Sequence, residues 1–138
     1  MRILVIDAQG GGIGKLLIAA IKREVPEARI TAVGTNSNAT AAMLKAGADE
    51  AATGENAVKV CSKRVDVIVG PIGIVIADSM LGEITPQMAL AVSQSRAVRV
   101  LIPFNHCDNI IVGIPDMNPK TLTDDAVQRI IALKNNVI

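Results

Sequence analysis

Four glycines fall within five positions, Gly10, Gly11, Gly12 and Gly14, between the carboxylate of Asp7 and the amine of Lys15. The chemistry this spacing suits is anion binding. Glycine lets the backbone approach a phosphate closely, and the unpaired N–H groups and dipole of a helix N-terminus favour its negative charge. The candidate phosphate cradle is therefore Gln9, Gly10, Gly11, Gly12, Ile13, Gly14 and Lys15. Asp7 complicates this picture, because a carboxylate at the lip of such a loop repels an anion unless a metal or a donor intervenes. Two roles fit it: a Mg²⁺ ligand, or an acceptor for the backbone N–H groups of the loop.

Three loop templates compete. The dinucleotide fingerprint G-x-G-x-x-G requires a third glycine where this chain has Lys15 or Leu17, so it fails in both registers. The G-x-x-x-x-G-K-[ST] loop of nucleoside triphosphatases matches at Gly14-Lys15 but has Gln9 for its first glycine. Leu16 also replaces the hydroxyl that holds Mg²⁺. The variant loop of partitioning ATPases, G-G-x-G-K-[ST], fits Gly11 to Lys15 better but lacks that same hydroxyl. Gly12-Ile13-Gly14 resembles the end of the short-chain dehydrogenase loop, with Ala8 at the first glycine position. That family's catalysis uses a tyrosine, and this chain has none.

Two further stretches are placed to meet a ligand. Gly34-Thr35-Asn36-Ser37 ends a strand at the usual ribose-sensing point and offers uncharged donors with no carboxylate to repel a 2′-phosphate. That favours NADP over NAD, although no arginine supports the preference. Gly70-Pro71-Ile72-Gly73 is a second glycine loop. Glu55 and Asn56 can either contact a ribose or cap a helix. His106, the sole histidine, stands beside Cys107 and Asp108, but adjacent residues seldom address one reacting atom, so a solvated loop histidine is expected. With one His and two separated cysteines, no metal site is expected.

The elements that must hold these residues follow from periodicity. Ile3 to Ile6 is a buried strand, and apolar residues from Ile13 to Ile21 recur at helical spacing until Pro26. Strands are expected at Arg29–Gly34, Asp49–Ala52, Val65–Val69 and Val98–Ile102. Helices are expected at Ala39–Ala46, Asn56–Ser62, Ile74–Leu81 and from Thr85-Pro86 to about Ser95. A last helix opens at Thr121 with Asp124 completing a capping box. A sixth strand, Ile110–Ile114, is expected to pair antiparallel with the fifth. The result is an α/β fold: a three-layer, doubly wound Rossmann-like sheet, mostly parallel, in the order 3-2-1-4-5 with an antiparallel edge strand. Both glycine loops then leave strands one and four, where the winding reverses and ligands bind.

Composition bounds the rest. The 138 residues suit one domain, half are hydrophobic, and only one is aromatic. With 14 basic and 13 acidic residues and no basic run, nucleic acid is not an expected partner. No apolar stretch is long enough to span a membrane and no secretory signal is visible, so a cytoplasmic location is expected. Positive mean hydropathy in a small chain points to a homo-oligomer, with Ile74–Leu81 as the candidate interface and ordinary core packing as the alternative. Asp78 and Glu83, spaced by five, suit surface or subunit-contact roles. Met43, Met80 and Met88 read as core.

Residues 5–15, Gly34-Thr35-Asn36, Ala48 to Asn56, Gly70 to Gly73 and Ser79 to Pro86 together resemble an uncharacterised family of short bacterial single-domain proteins, known as a domain of unknown function. The resemblance covers nearly the whole chain and implies no activity. From the residues themselves, the first expectation is a nucleotide-binding domain taking NADP(H) or NAD(H) on the glycine loop. The second is a Mg²⁺-dependent phosphotransferase or nucleotide hydrolase using Asp7 and Lys15. The third is a structural or regulatory oligomer whose glycines serve only packing.

Overall fold

The computed structural model describes residues 1–104, 108–115 and 118–136. Five strands form one parallel sheet: β1 (Arg2–Asp7), β2 (Arg29–Gly34), β3 (Glu50–Thr53), β4 (Val67–Pro71) and β5 (Val98–Ile102). Their order is β3-β2-β1-β4-β5, the doubly wound arrangement expected from the alternation of strands and helices. The helices are α1 (Gly12–Glu24), α2 (Ser37–Lys45), α3 (Glu55–Cys61), α4 (Pro86–Gln94) and α5 (Pro119–Lys134), with a 3₁₀ turn at Ile72–Val75.

Alternation along β1 builds both cores. Ile3 and Val5 face the layer containing Leu17, Ile21, Met43 and Val127, whereas Leu4 and Ile6 face Val58, Ile74, Ile84 and Val92. A strand buried on both faces must be apolar, as this one is from Ile3 to Ile6. Ion pairing secures the amino ends of the strands. Asp66 takes the N–H and guanidinium of Arg2, and Asp49 takes the Ile30 N–H and the Lys22 amine.

The antiparallel sixth strand is absent. Residues 110–114 carry no ladder, Ile110 and Val112 are 91% and 92% exposed, and Asp108 (φ 63°) and Gly113 (φ 82°) leave the extended region. Left-handed residues at both positions break the alternation that pairing requires. Ile74–Leu81 is likewise no α-helix. After the 3₁₀ turn, Asp78, Met80 and Leu81 adopt φ of 64°, 54° and 58°, which stops helical propagation. The last helix starts earlier than Thr121. Asn118 accepts the Thr121 N–H and Pro119 occupies the first turn, while Asp124 pairs with Lys120 rather than completing a capping box.

Glycine contacts show how closely the elements approach. A Cβ on Gly70 would sit 2.3 Å from the Ile6 carbonyl oxygen, and one on Gly34 would sit 2.6 Å from the Thr40 backbone nitrogen. Backbone cannot yield as a side-chain tip can. Gly70→Ala and Gly34→Ala are each expected to lower unfolding free energy by about 1–3 kcal/mol, measured by urea denaturation. Unchanged midpoints would contradict this packing.

Candidate functional site

The site forms at the carboxyl ends of β1, β2 and β4. Asp7, the last residue of β1, is 4% exposed and turns its side chain back under the glycine loop. Its Oδ1 accepts the Ala8 N–H at 2.8 Å and its Oδ2 the Gly14 N–H at 2.7 Å. Burial pushes this carboxyl above its ordinary value, with the bonds from Gly14, Ala8 and Ile13 pulling the other way and the Glu83 charge adding to the rise. The geometry is that of a loop brace, the second of the two roles open to Asp7. Both oxygens point inward to backbone, a poor posture for a Mg²⁺ ligand. Lys15 is exposed and does not line the adjacent cavity.

The four glycines of the loop divide into two classes. Gly11 sits at φ 72° against the Ala39 backbone, and a Cβ on Gly14 would lie 2.5 Å from Met43 Sδ and 3.0 Å from Asp7 Cβ. Those two are required by turn geometry and by helix–helix approach. Gly10 and Gly12 differ. Neither has a positive φ, and a Cβ on either would meet nothing within 4 Å. Both are exposed, and their N–H groups have no partner among the described residues. They line a cavity of about 110 Å³ with Asp7, Ala8, Gln9, Ile13, Pro71, Met80 and Phe104.

The other predicted positions assemble around this cavity to different degrees. Thr35 and Asn36 follow β2, and Asn36 caps α2 by accepting the Ala39 N–H while its amide donates to the Gln9 carbonyl at 2.9 Å. Ser37 begins α2 and is exposed. Gly70 and Pro71 belong to β4 rather than to a loop, and Pro71 forms a cavity wall. Ile72 and Gly73 begin the 3₁₀ turn and do not line it. Glu55 lies away from it, and its Oε1 takes the Thr85 hydroxyl at the start of α4. His106 lies outside the described residues.

Glu83 is the residue that sequence reasoning misplaced. Its Oε1 accepts the Gln9 N–H at 2.9 Å, the Thr35 hydroxyl at 2.7 Å and the Asn36 amide at 2.7 Å. Partial burial pushes its pKa up, but these bonds outweigh that and hold it below the ordinary glutamate value. The uncharged end of β2 therefore does carry a carboxylate, delivered from 48 residues away, and the ground for preferring NADP is removed. No local pattern announces such a contact.

A larger groove of about 680 Å³ runs along β5 and α5, lined by no residue of the glycine loop, with apolar walls plus Arg99, Asp125 and Arg129. Among the described residues no cluster of His, Cys, Asp or Glu could hold a metal ion, and no helix is long and apolar enough to cross a membrane.

Asp7→Ala strands the buried Ala8 and Gly14 N–H groups and is expected to cost about 1–3 kcal/mol in urea unfolding. The pH dependence has a defined sign. A folded-state pKa above the ordinary 3.8 makes the Asp7 contribution most favourable below that value and lowers it as the carboxyl ionises. Relative to Asp7→Asn, the wild type should lose stability as the pH rises from 3.8 towards neutrality. A rise over that interval would contradict the burial of this charge.

The chain belongs to the family described as Domain of unknown function (DUF3842), whose model matches residues 2–135. No curated protein matches the sequence. Among solved structures it is similar to the E. coli heptosyltransferase WaaC with ADP, at TM-score 0.54 and 11% identity over 94% of this chain and 46% of that one. A dodecameric FMN-dependent UbiX-like decarboxylase from E. coli O157:H7 aligns at TM-score 0.44 and 16% identity, over 98% of this chain and 95% of that one. AibC aligns at TM-score 0.44 and 20% identity, over 99% of this chain and 39% of that one. The chain thus spans less than half the length of the heptosyltransferase and AibC chains. The heptosyltransferase likeness carries the α/β, Rossmann-like layout.

Proposed function

We propose that this protein binds a nucleotide, with a phosphate held by the backbone of Gly10 and Gly12 at the N-terminus of α1. NAD(H) and NADP(H) are the first ligands to test. The observation that carries the reading is that the fold itself has no use for glycine at these two positions. Their φ values are ordinary and the space beside them is open, whereas Gly11, Gly14, Gly34 and Gly70 each have a steric or conformational reason. Free N–H groups on a helix N-terminus, with no side chain to hold a ligand away, are what a phosphate requires. The heptosyltransferase of similar fold is recorded with ADP. At 11% identity that likeness supports the architecture, and the glycines support the ligand.

The Mg²⁺-dependent phosphotransferase reading has less support, because Asp7 is turned into the loop and Lys15 stands outside the cavity. The purely structural reading accounts for Gly11 and Gly14 but leaves Gly10 and Gly12 without a reason.

Substitution separates these readings. Gly12→Ala is expected to match or exceed wild-type stability, by up to about 1 kcal/mol, because it narrows the unfolded ensemble without a clash. Gly12→Val places a branch in the cavity and is expected to abolish the thermal shift produced by nicotinamide dinucleotides. A ligand at a hundred times its dissociation constant stabilises by about 2.7 kcal/mol, several degrees for a domain of this size. The screen covers NAD(H), NADP(H), ATP, GTP, flavins and coenzyme A, with and without Mg²⁺. A shift that requires Mg²⁺ and a triphosphate, or one that survives Gly12→Val, would overturn the proposal.

A further inference from the structure

We infer that Glu83, carried on the turn of residues 76–84, is an autoinhibitory latch: its carboxylate fills the anion position between the two ligand-facing loops from within the chain, and nucleotide enters when it withdraws. This rests on the nucleotide reading above and adds a control on the same site.

Three features of the structure support it. The first is the contact pattern. One oxygen of Glu83 takes donors from both sides of the crevice, the Gln9 N–H after β1 and the Thr35 and Asn36 side chains after β2. Among the described residues these are the only hydrogen bonds from residues 76–84 to either loop. A backbone N–H beside the phosphate cradle, a hydroxyl and an amide form a donor set suited to an external anion, and an internal one holds it.

The second is space. The cavity left over Gly10 and Gly12 is about 110 Å³, whereas sites for nucleotide-sized ligands run from about 300 Å³ upward. Met80, on the same turn as Glu83, forms part of its wall. Withdrawing the Glu83 side chain empties the space between the two loops beside this cavity and frees the Gln9 N–H in one movement. Charge makes the two states exclusive. A phosphate on the Gly10 and Gly12 N–H groups would face the Glu83 carboxylate on the neighbouring N–H, with the Asp7 carboxylate beneath both.

The third is the construction of the turn. Its base is fixed: Ser79 Oγ donates to the Gly73 carbonyl at 2.6 Å, the Asp78 N–H donates to the Ile84 carbonyl at 2.7 Å, and Ile84 is fully buried. Its tip is not. Met80 and Leu81 are both left-handed, a conformation that L side chains rarely adopt, and Leu81 is 96% exposed, so its own packing does not hold it there. On this turn the Glu83 side chain is joined to the two loops by one carboxylate oxygen alone, so it can swing away while the turn stays in place.

The test compares wild type with Glu83→Ala and Glu83→Gln, measuring NAD(H), NADP(H) and ATP affinity by calorimetry and exchange of the Gln9 amide by NMR. Removing the latch raises the fraction of open protein, so Glu83→Ala is expected to show faster Gln9 exchange and about tenfold or more tighter binding. Glu83→Gln, which keeps the shape and drops the charge, is expected to tighten binding less. If Gln9 exchange rises and affinity is unchanged or weaker, the latch is overturned while the nucleotide reading stands, and Glu83 becomes a ligand contact or a structural brace. If Gln9 exchange rises and no nucleotide binds wild type or variant, the nucleotide reading falls and the latch with it.

Discussion

The Asp7 carboxylate is the constraint from which the site follows. β1 is apolar from Ile3 to Ile6, and the carboxylate that ends it turns inward to take the Ala8 and Gly14 N–H groups. That brace fixes how the chain leaves the sheet and where α1 begins. It also brings Gly14 against Met43 of α2 and Gly11 against Ala39, so two helices pack where any side chain would collide. The consequence for chemistry is selective. Asp7 satisfies donors on the inner side of the turn and leaves Gly10 and Gly12 facing outward with their N–H groups unpaired among the described residues. One carboxylate thus both builds the helix N-terminus and defines which part of it a ligand can reach.

The crevice above this turn is shared between anions. A helix N-terminus and its adjoining loop favour negative charge of any origin. Here Asp7 takes the inner donors and Glu83 the Gln9 N–H. A phosphate on the remaining donors has two negative neighbours, one of them permanent. The buried carboxylate cannot leave without stranding backbone groups, whereas Glu83 sits on a turn whose tip is exposed. In the proposed latch, control of the site acts through the second.

Much of the layout was legible in the sequence. Apolar runs, helical spacing and glycine or proline punctuation predicted all five strands and the 3-2-1-4-5 order. The misses have local causes. Ile110–Ile114 reads as a strand by composition, and only the backbone of Asp108 and Gly113 shows that it cannot extend. Ile74–Leu81 reads as a helix by hydrophobicity, yet Met80 and Leu81 are left-handed for reasons that lie in the turn rather than in their side chains. The site was half legible. Spacing flagged the glycines but treated Gly11 and Gly12 alike, and what separates them is the neighbouring Ala39 backbone. Glu83 reads from sequence as a surface or subunit-contact group, because a bond spanning 48 residues leaves no periodic trace.

A ¹⁵N-NMR titration of the wild-type protein with NADH, following the backbone amides, decides whether the Gly10 and Gly12 N–H groups hold a phosphate. The account predicts saturable shifts largest at Gly10 and Gly12, with Gln9 moving as Glu83 releases it. Saturable binding that leaves those two amides unmoved, or the absence of any shift at millimolar ligand with NADH and NADPH alike, would contradict it.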